Sequence, residues 1–205
     1  MSMNIETKNS YSLFSGLNFW LHVLFYLFVF LVVYIRVYVI FNYNLTAIDS
    51  DQPYMWIGAS DFAKGEFHEP RYYGQDYNTF MEALFAVPLL WLGYPVNYSV
   101  PIATHFIFIF PYFFTAFYLF YSGRNIHSLL VLSVLLCMTE QFDVLTSLPR
   151  GFVTGLFFCS FYIVSLVHPE KLGWLLVNTL MTVLGFYVNP NLLPVAVPFS
   201  FYLFL

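Results

Sequence analysis

Charge is what this chain has least of. Only 9% of its 205 residues are Asp, Glu, Lys or Arg, against roughly a quarter in an ordinary soluble domain, so most of the sequence has nothing with which to face water. Lys and Arg together number 7 against 11 Asp and Glu, a net charge of -4. That balance offers no basic surface to a phosphodiester backbone and argues against nucleic acid as a partner. Cysteine is scarce as well: Cys137 and Cys159 both sit in apolar runs and read as small buried hydrophobes, with neither a disulfide framework nor metal spacing. The histidines, His22, His68, His105, His127 and His168, likewise lack ligand spacing. No cofactor is implied, and a divalent metal has only His68, beside Glu66 and Glu69, to suggest it. No internal repeat or low-complexity tract stands out.

What fills the chain instead is apolar and aromatic: 60% hydrophobic and 23% Phe, Trp or Tyr, with 26 Phe. The stretch from Leu17 to Phe41, at about 1.5 Å per residue, reaches roughly 37 Å, enough to cross a bilayer with some tilt. A cleavable signal peptide has a shorter apolar core and a small-residue cleavage site, so this segment is expected to remain as a signal anchor. Arg36 lies about a turn and a half from its end, a position that predicts snorkelling to the interface. Further apolar runs cover Tyr98 to Tyr121, Ile126 to Thr139, Gly151 to Val167, Leu172 to Val188 and Leu192 to Leu205, about six spanning segments in all. The last run is short for a span and stops at Leu205, so we expect the sequence to be the N-terminal part of a longer protein. The expected fold class is all-α, a polytopic transmembrane helix bundle, multi-pass and integral to the membrane. Its expected divisions are a cytoplasmic tail over 1–16, a first span over 17–41, a first extracytoplasmic loop over 42–97, and about five more spans over 98–205.

The polar residues gather in one island, Asn42 to Met81, which holds Asp49, Asp51, Asp61, Glu66, Glu69 and Asp76, six of the eleven acids. Basic residues split evenly between the two faces of the membrane and decide no orientation. If Glu82 to Tyr94, interrupted by Pro88 and Gly93, does not span, the acids of the island fall on the face opposite the N-terminus together with Glu82, Glu140 and Asp143. Within the island Pro53 to Lys64 reads as a helix with Pro in its first turn and Gly65 as its stop. Met55, Trp56, Ala59, Phe62 and Ala63 share one face of it, and Tyr54, Gly58 and Asp61 the other, the pattern of a helix lying along a membrane surface. A second helix is expected over Thr79 to Leu92, apolar nearly all round.

Asp49-Ser50-Asp51-Gln52 stands where the first span ends and the surface helix begins. The positive end of that helix favours an ionised carboxylate by about 0.3 to 1 kcal/mol. A charged carboxylate there has two readings, a general base facing a substrate hydroxyl and a simple helix cap, and the two are compatible. Glu140 and Asp143, followed by Arg150, form a second acidic loop on the same face.

The run Asp-Ser-Asp-Gln (49–52), then Trp56-Ile57-Gly58-Ala59, Gly65, Tyr73-Gly74-Gln75-Asp76-Tyr77, Glu82-Ala83 and Leu92-Gly93, resembles the first extracytoplasmic loop of GT-C-class glycosyltransferases. These polytopic enzymes, related to protein mannosyltransferases and aminoarabinose transferases, use polyprenyl-phosphate-linked sugars. The resemblance covers roughly residues 20–125. It implies two juxtamembrane helices in the loop, a second transmembrane helix from about Tyr98, and a place in the cell envelope, at a bacterial inner membrane. Asp51 corresponds to the catalytic Asp, with Gln52 where Glu is usual and Asp49 as the other candidate base. The implied chemistry is attack of an acceptor hydroxyl or amine on the anomeric carbon, with departure of the polyprenyl phosphate and inversion. Tyr73, Gln75, Tyr77 and Glu82 are the expected sugar contacts, and Arg71 and Arg150 the expected phosphate partners. The partners are then the lipid-linked sugar, the bilayer, and an acceptor glycan, lipid or protein. The alternative is a polytopic transporter or a non-catalytic scaffold with an acidic outer loop; transporters place ionisable residues near the middle of their spans.

Overall fold

A computed structural model describes residues 5–43, 52–68, 79–137 and 152–204. The described residues are helical, with no β-strand among them. Helix α1 runs Ile5–Tyr43, α2 Gln52–Lys64, α3 Met81–Trp91, α4 Val96–Tyr121 and α5 Asn125–Cys137. Helix α6 runs Phe152–Phe158, α7 Tyr162–Val167 and α8 Leu172–Val188; a 3-10 turn at Pro190–Leu192 leads into α9, Leu193–Phe204. Two stretches, Asn18–Tyr43 and Val96–Tyr121, are long and apolar enough to cross a bilayer. Met81–Trp91, Asn125–Cys137, Leu172–Val188 and Leu193–Tyr202 are apolar but shorter.

Helix α4 is the hub, packed against α1, α2, α3, α5, α6 and α7. Its upper half meets the α2–α3 pair through Val100 and Ala103. Its middle and lower half meet α1 and α5 through Phe108, Ala116 and Phe120. Small side chains bring α4 and α5 close: Ala116 and Ser128 are fully buried, and Ser128 Oγ donates to the Ala116 carbonyl at 2.8 Å. Close backbone approach through small residues, with a hydroxyl bonded across the seam, is how helices associate where water supplies no driving force.

Between Asn18 and Tyr43 helix α1 buries one seam, Phe25, Val32, Arg36, Val39 and Ile40, at steps of seven, four, three and one, the narrow stripe of a helix that touches its neighbours along one line. Phe25 stacks on Phe120 at 4.0 Å between ring centroids. Around the rest of the helix Phe19, Trp20, Phe30, Tyr34, Val37 and Phe41 are exposed. Only 28% of the most apolar window of Asn18–Tyr43 is buried, whereas the core helix of a water-soluble protein would be mostly covered. Arg36 falls in the buried seam, 5% exposed, with its guanidinium carbon 5.3 Å from the Phe108 ring centroid. The expected snorkelling gives way to packing over an aromatic face, because the seven- and four-residue steps from Phe25 and Val32 turn position 36 inward.

Two further departures from the sequence expectation have local causes. The run Gly151 to Val167 is not one helix: it breaks at residues 159–161 between α6 and α7. Through the break the backbone bonds tighten to three-residue steps, Cys159 N–H to the Leu156 carbonyl at 2.9 Å and Tyr162 N–H to the Cys159 carbonyl at 3.0 Å. Buried Asn178 of α8 donates to the Phe161 carbonyl at 3.2 Å and to Ser165 Oγ at 2.5 Å, so a neighbouring helix satisfies the interruption. Asn178→Ala removes both bonds and is expected to destabilise the α7–α8 contact by about 0.6 to 1.7 kcal/mol, read as a lower melting temperature of the purified protein. The cysteines also differ from expectation. Cys137 is exposed, and Cys159 is only half-buried, at a hollow that it lines with Tyr112 and Thr115 of α4 and Val131 of α5.

Candidate functional site

The island between the two longest helices is built around α2 and α3. The structure starts α2 at Gln52, one residue before the expected Pro53, and gives α3 as Met81–Trp91 rather than Thr79 to Leu92. Met55, Ala59 and Phe62 of α2 pack with Phe80 and with Ala83, Ala86 and Val87 of α3, and both helices close on Val100 and Ala103 of α4. Tyr54 is exposed, as its place opposite that face requires. Gly58 is not on the outer face as expected. It is buried beneath the Phe80 ring, and a Cβ there would stand 2.7 Å from Cδ1 and Cε1 of that ring. The ring lies on α2 because position 58 has no side chain.

Helix α2 ends in a Schellman turn. Gly65 has φ 81°, its N–H donates to the Phe62 carbonyl at 3.0 Å, and Glu66 N–H donates to the Asp61 carbonyl at 2.9 Å. The turn gathers Asp61, Glu66 and His68, whose donor atoms lie within 4.8 Å of one another. From sequence His68 pointed to Glu66 and Glu69; the helix end brings Asp61 in, and Glu69 lies outside the described residues. His68 Nε2 stands 3.6 Å from one Asp61 oxygen and Lys64 Nζ 3.9 Å from the other. The Asp61 carboxylate thus stands between two basic side chains. At the same end of α2, Trp91 Nε1 donates to the Ala63 carbonyl at 2.9 Å, tying the C-terminus of α3 to that of α2.

Glu82 is the one expected sugar contact among the described residues, and it is fully buried. Both carboxylate oxygens lack a hydrogen-bond partner. Two effects compete on it. The N-terminus of α3 and the residue's own backbone amide favour the anion, worth about 0.3 to 1 kcal/mol at a helix start, whereas burial penalises it, and each pKa unit corresponds to about 1.4 kcal/mol. Burial wins, pushing the carboxyl from its ordinary value of 4.5 up to about 8. At neutral pH Glu82 is mostly the neutral acid.

Beside α3, on the side away from Glu82's neighbours Ala83 and Ala86, lies an apolar cavity of about 420 Å³ walled by Phe62, Phe80, Leu84, Phe85, Phe157 and Tyr187, among others. Thr79 Oγ1, buried and without a hydrogen-bond partner, is its polar exception. A second hollow of about 360 Å³ lies between α2 and Val96 of α4, past Trp56, Ser60, Asp61 and Lys64.

Asp49, Asp51, Arg71, Tyr73, Gln75, Tyr77 and Arg150 lie outside the described residues, as do Glu140 and Asp143. Asp51 immediately precedes Gln52, the first residue of α2. Sequence reasoning missed the burial of Arg36 and of Glu82. The seam spacing in α1 could have revealed the first. The second left no signal, since Glu82 opens an apolar run in just the way a surface acid near a helix N-terminus would. Comparison of the chain with family models, with curated proteins and with solved structures gives no match.

Proposed function

We propose that the chain is a multi-pass membrane protein of GT-C-like glycosyltransferase type, moving a sugar from a polyprenyl-phosphate donor to an acceptor hydroxyl or amine on the extracytoplasmic face. The observation that carries this is the order of elements. A long apolar helix, α1, is followed by two short helices packed on each other and on the upper half of α4, the second helix long enough to span. That is the arrangement a catalytic first loop with two juxtamembrane helices calls for. The exposed apolar surface of α1 supports a lipid setting, and Trp91 and Tyr94, both exposed, are amphipathic rings suited to the interface.

In this proposal Asp51 takes the proton of the acceptor as its oxygen or nitrogen attacks the anomeric carbon, the bond to the phosphate oxygen breaks, and the phosphate leaves with that electron pair. Arg71 and Arg150 are the cations proposed to meet the phosphate, and Tyr73, Gln75 and Tyr77 the groups proposed to hold the sugar. The apolar cavity beside α3 suits the first units of the prenyl tail. Glu82, sealed among helices, plays no part in sugar contact.

Consumption of a radiolabelled prenyl-phosphate sugar by the protein in proteoliposomes tests the proposal. Turnover is expected, with reagents impermeant to the membrane labelling a cysteine placed at position 50 only from the extracytoplasmic side. Labelling from the cytosol would overturn it. One observation favours transport instead: Arg36 and His105 are both buried in the helices long enough to span. Uptake of the intact sugar lipid without its cleavage would decide for that second reading.

A further inference from the structure

Glu82 has no role in the chemistry proposed above, yet it is a carboxyl with no exposed surface and two unpartnered oxygens, on a helix that packs against both α2 and α4. We propose that Glu82 makes the seating of α3 proton-dependent: the neutral acid is the form that fits between α2 and α4, and lifting the first turn of α3 into solvent releases its proton. The inference is independent of the sugar-transfer proposal.

Among the described residues no side chain bonds the carboxylate, and its own backbone amide is the one group that favours the anion. The helix that carries it packs on α2 and α4 through an apolar cluster, with Ala83, Ala86 and Val87 from α3 itself, Met55 and Ala59 from α2, and Val100 and Ala103 from α4. Glu82 is the one charged residue of α3. The titratable or charged side chains on the described part of α2 are Tyr54, Asp61 and Lys64, and those on α4 are Tyr98, His105, Tyr112, Tyr118 and Tyr121. None of them acts on Glu82, for burial and its own backbone amide are the causes of its shift. Asp61 faces Lys64 and His68 instead, and Arg36 of α1 stands over Phe108.

The sign follows from linkage. Seated, the carboxyl is held up to about 8; released, it returns to its ordinary 4.5. Between those values the seated state binds more protons, so its advantage shrinks as pH rises and levels off above about 8. The opening equilibrium of the first turn should therefore grow about tenfold for each pH unit across that window. A Gln in the same place carries no titration.

Hydrogen exchange of the full chain in nanodiscs, followed on residues 81–87 and corrected for intrinsic exchange by comparison with Glu82→Gln at each pH, measures the opening directly. Wild-type protection is expected to fall about tenfold per unit from pH 5 to pH 8 relative to Glu82→Gln. Parallel protection in the two proteins across that range would overturn the proposal. Infrared titration of the wild-type protein keeps the question open to refutation if the variant fails to fold. A protonated-carboxyl band that persists at pH 7 and fades near pH 8 supports the proposal, and loss of all such bands by pH 6 refutes it.

Discussion

Asp51→Asn is expected to lower the proposed sugar transfer about 10²- to 10⁴-fold, the usual worth of a positioned general base, with membrane insertion and abundance unchanged. The amide keeps the size of the side chain and can still accept a hydrogen bond at the start of α2, which begins at the next residue; it cannot take a proton. Loss of activity with normal abundance therefore separates the base from the cap. Asp49→Asn, measured beside it, identifies which of the two acids faces the acceptor, and a loss confined to Asp49→Asn would move the assignment two residues upstream. Full activity in both variants would leave the loop without a base and end the proposed mechanism.

The second large effect belongs to packing. Gly58→Val is expected to destabilise the α2–α3 pair by about 1 to 3 kcal/mol, the usual range for forcing extra atoms into a filled core. Even the first added carbon would stand 2.7 Å from the Phe80 ring. The ring must leave its place between Met55, Ala59 and Ala83, or the helices must part. Gly173→Ala serves as the control, because a Cβ at that position on α8 meets nothing within 4 Å. There the change is expected to stabilise by about 0.4 to 1 kcal/mol through the unfolded chain. Thermal unfolding of the two variants side by side should give shifts of opposite sign, and a matching shift in both would show that the Phe80 contact is not what holds the pair.

The helices were readable in the sequence where an apolar run met a clear stop. Leu172–Val188 matches the expected run at both ends, since Pro169 precedes it and Asn189 and Pro190 follow it. Helix α2 differs from expectation by one residue, because Pro53 and Gly65 punctuate it. The break inside Gly151 to Val167 was hidden, as neither glycine nor proline marks it. The bonds that satisfy it come from Asn178, a residue of another helix, and hydropathy along one segment carries no information about a hydrogen bond from the next. Gly58 misled for a related reason: a glycine reads as absence of an apolar side chain, whereas in the packed pair that absence is what admits Phe80. Of the candidate site, the clustering of Asp61 with Glu66 and His68 needed the turn at Gly65 to be seen, while Asp49, Asp51, Arg71, Arg150 and the tyrosines beyond Gly65 rest on sequence resemblance alone.

The indole of Trp91 bonded to the Ala63 carbonyl couples the C-terminal ends of two helices that both pack on the upper half of α4. A thirteen-residue helix such as α2 is about 20 Å long, so a lever latched at Ala63 carries any small rotation of α3 to its opposite tip, where Asp51 joins the chain. A swing of a few degrees at the latch moves that tip by about an ångström, comparable to the misplacement that costs an enzyme about a hundredfold in rate.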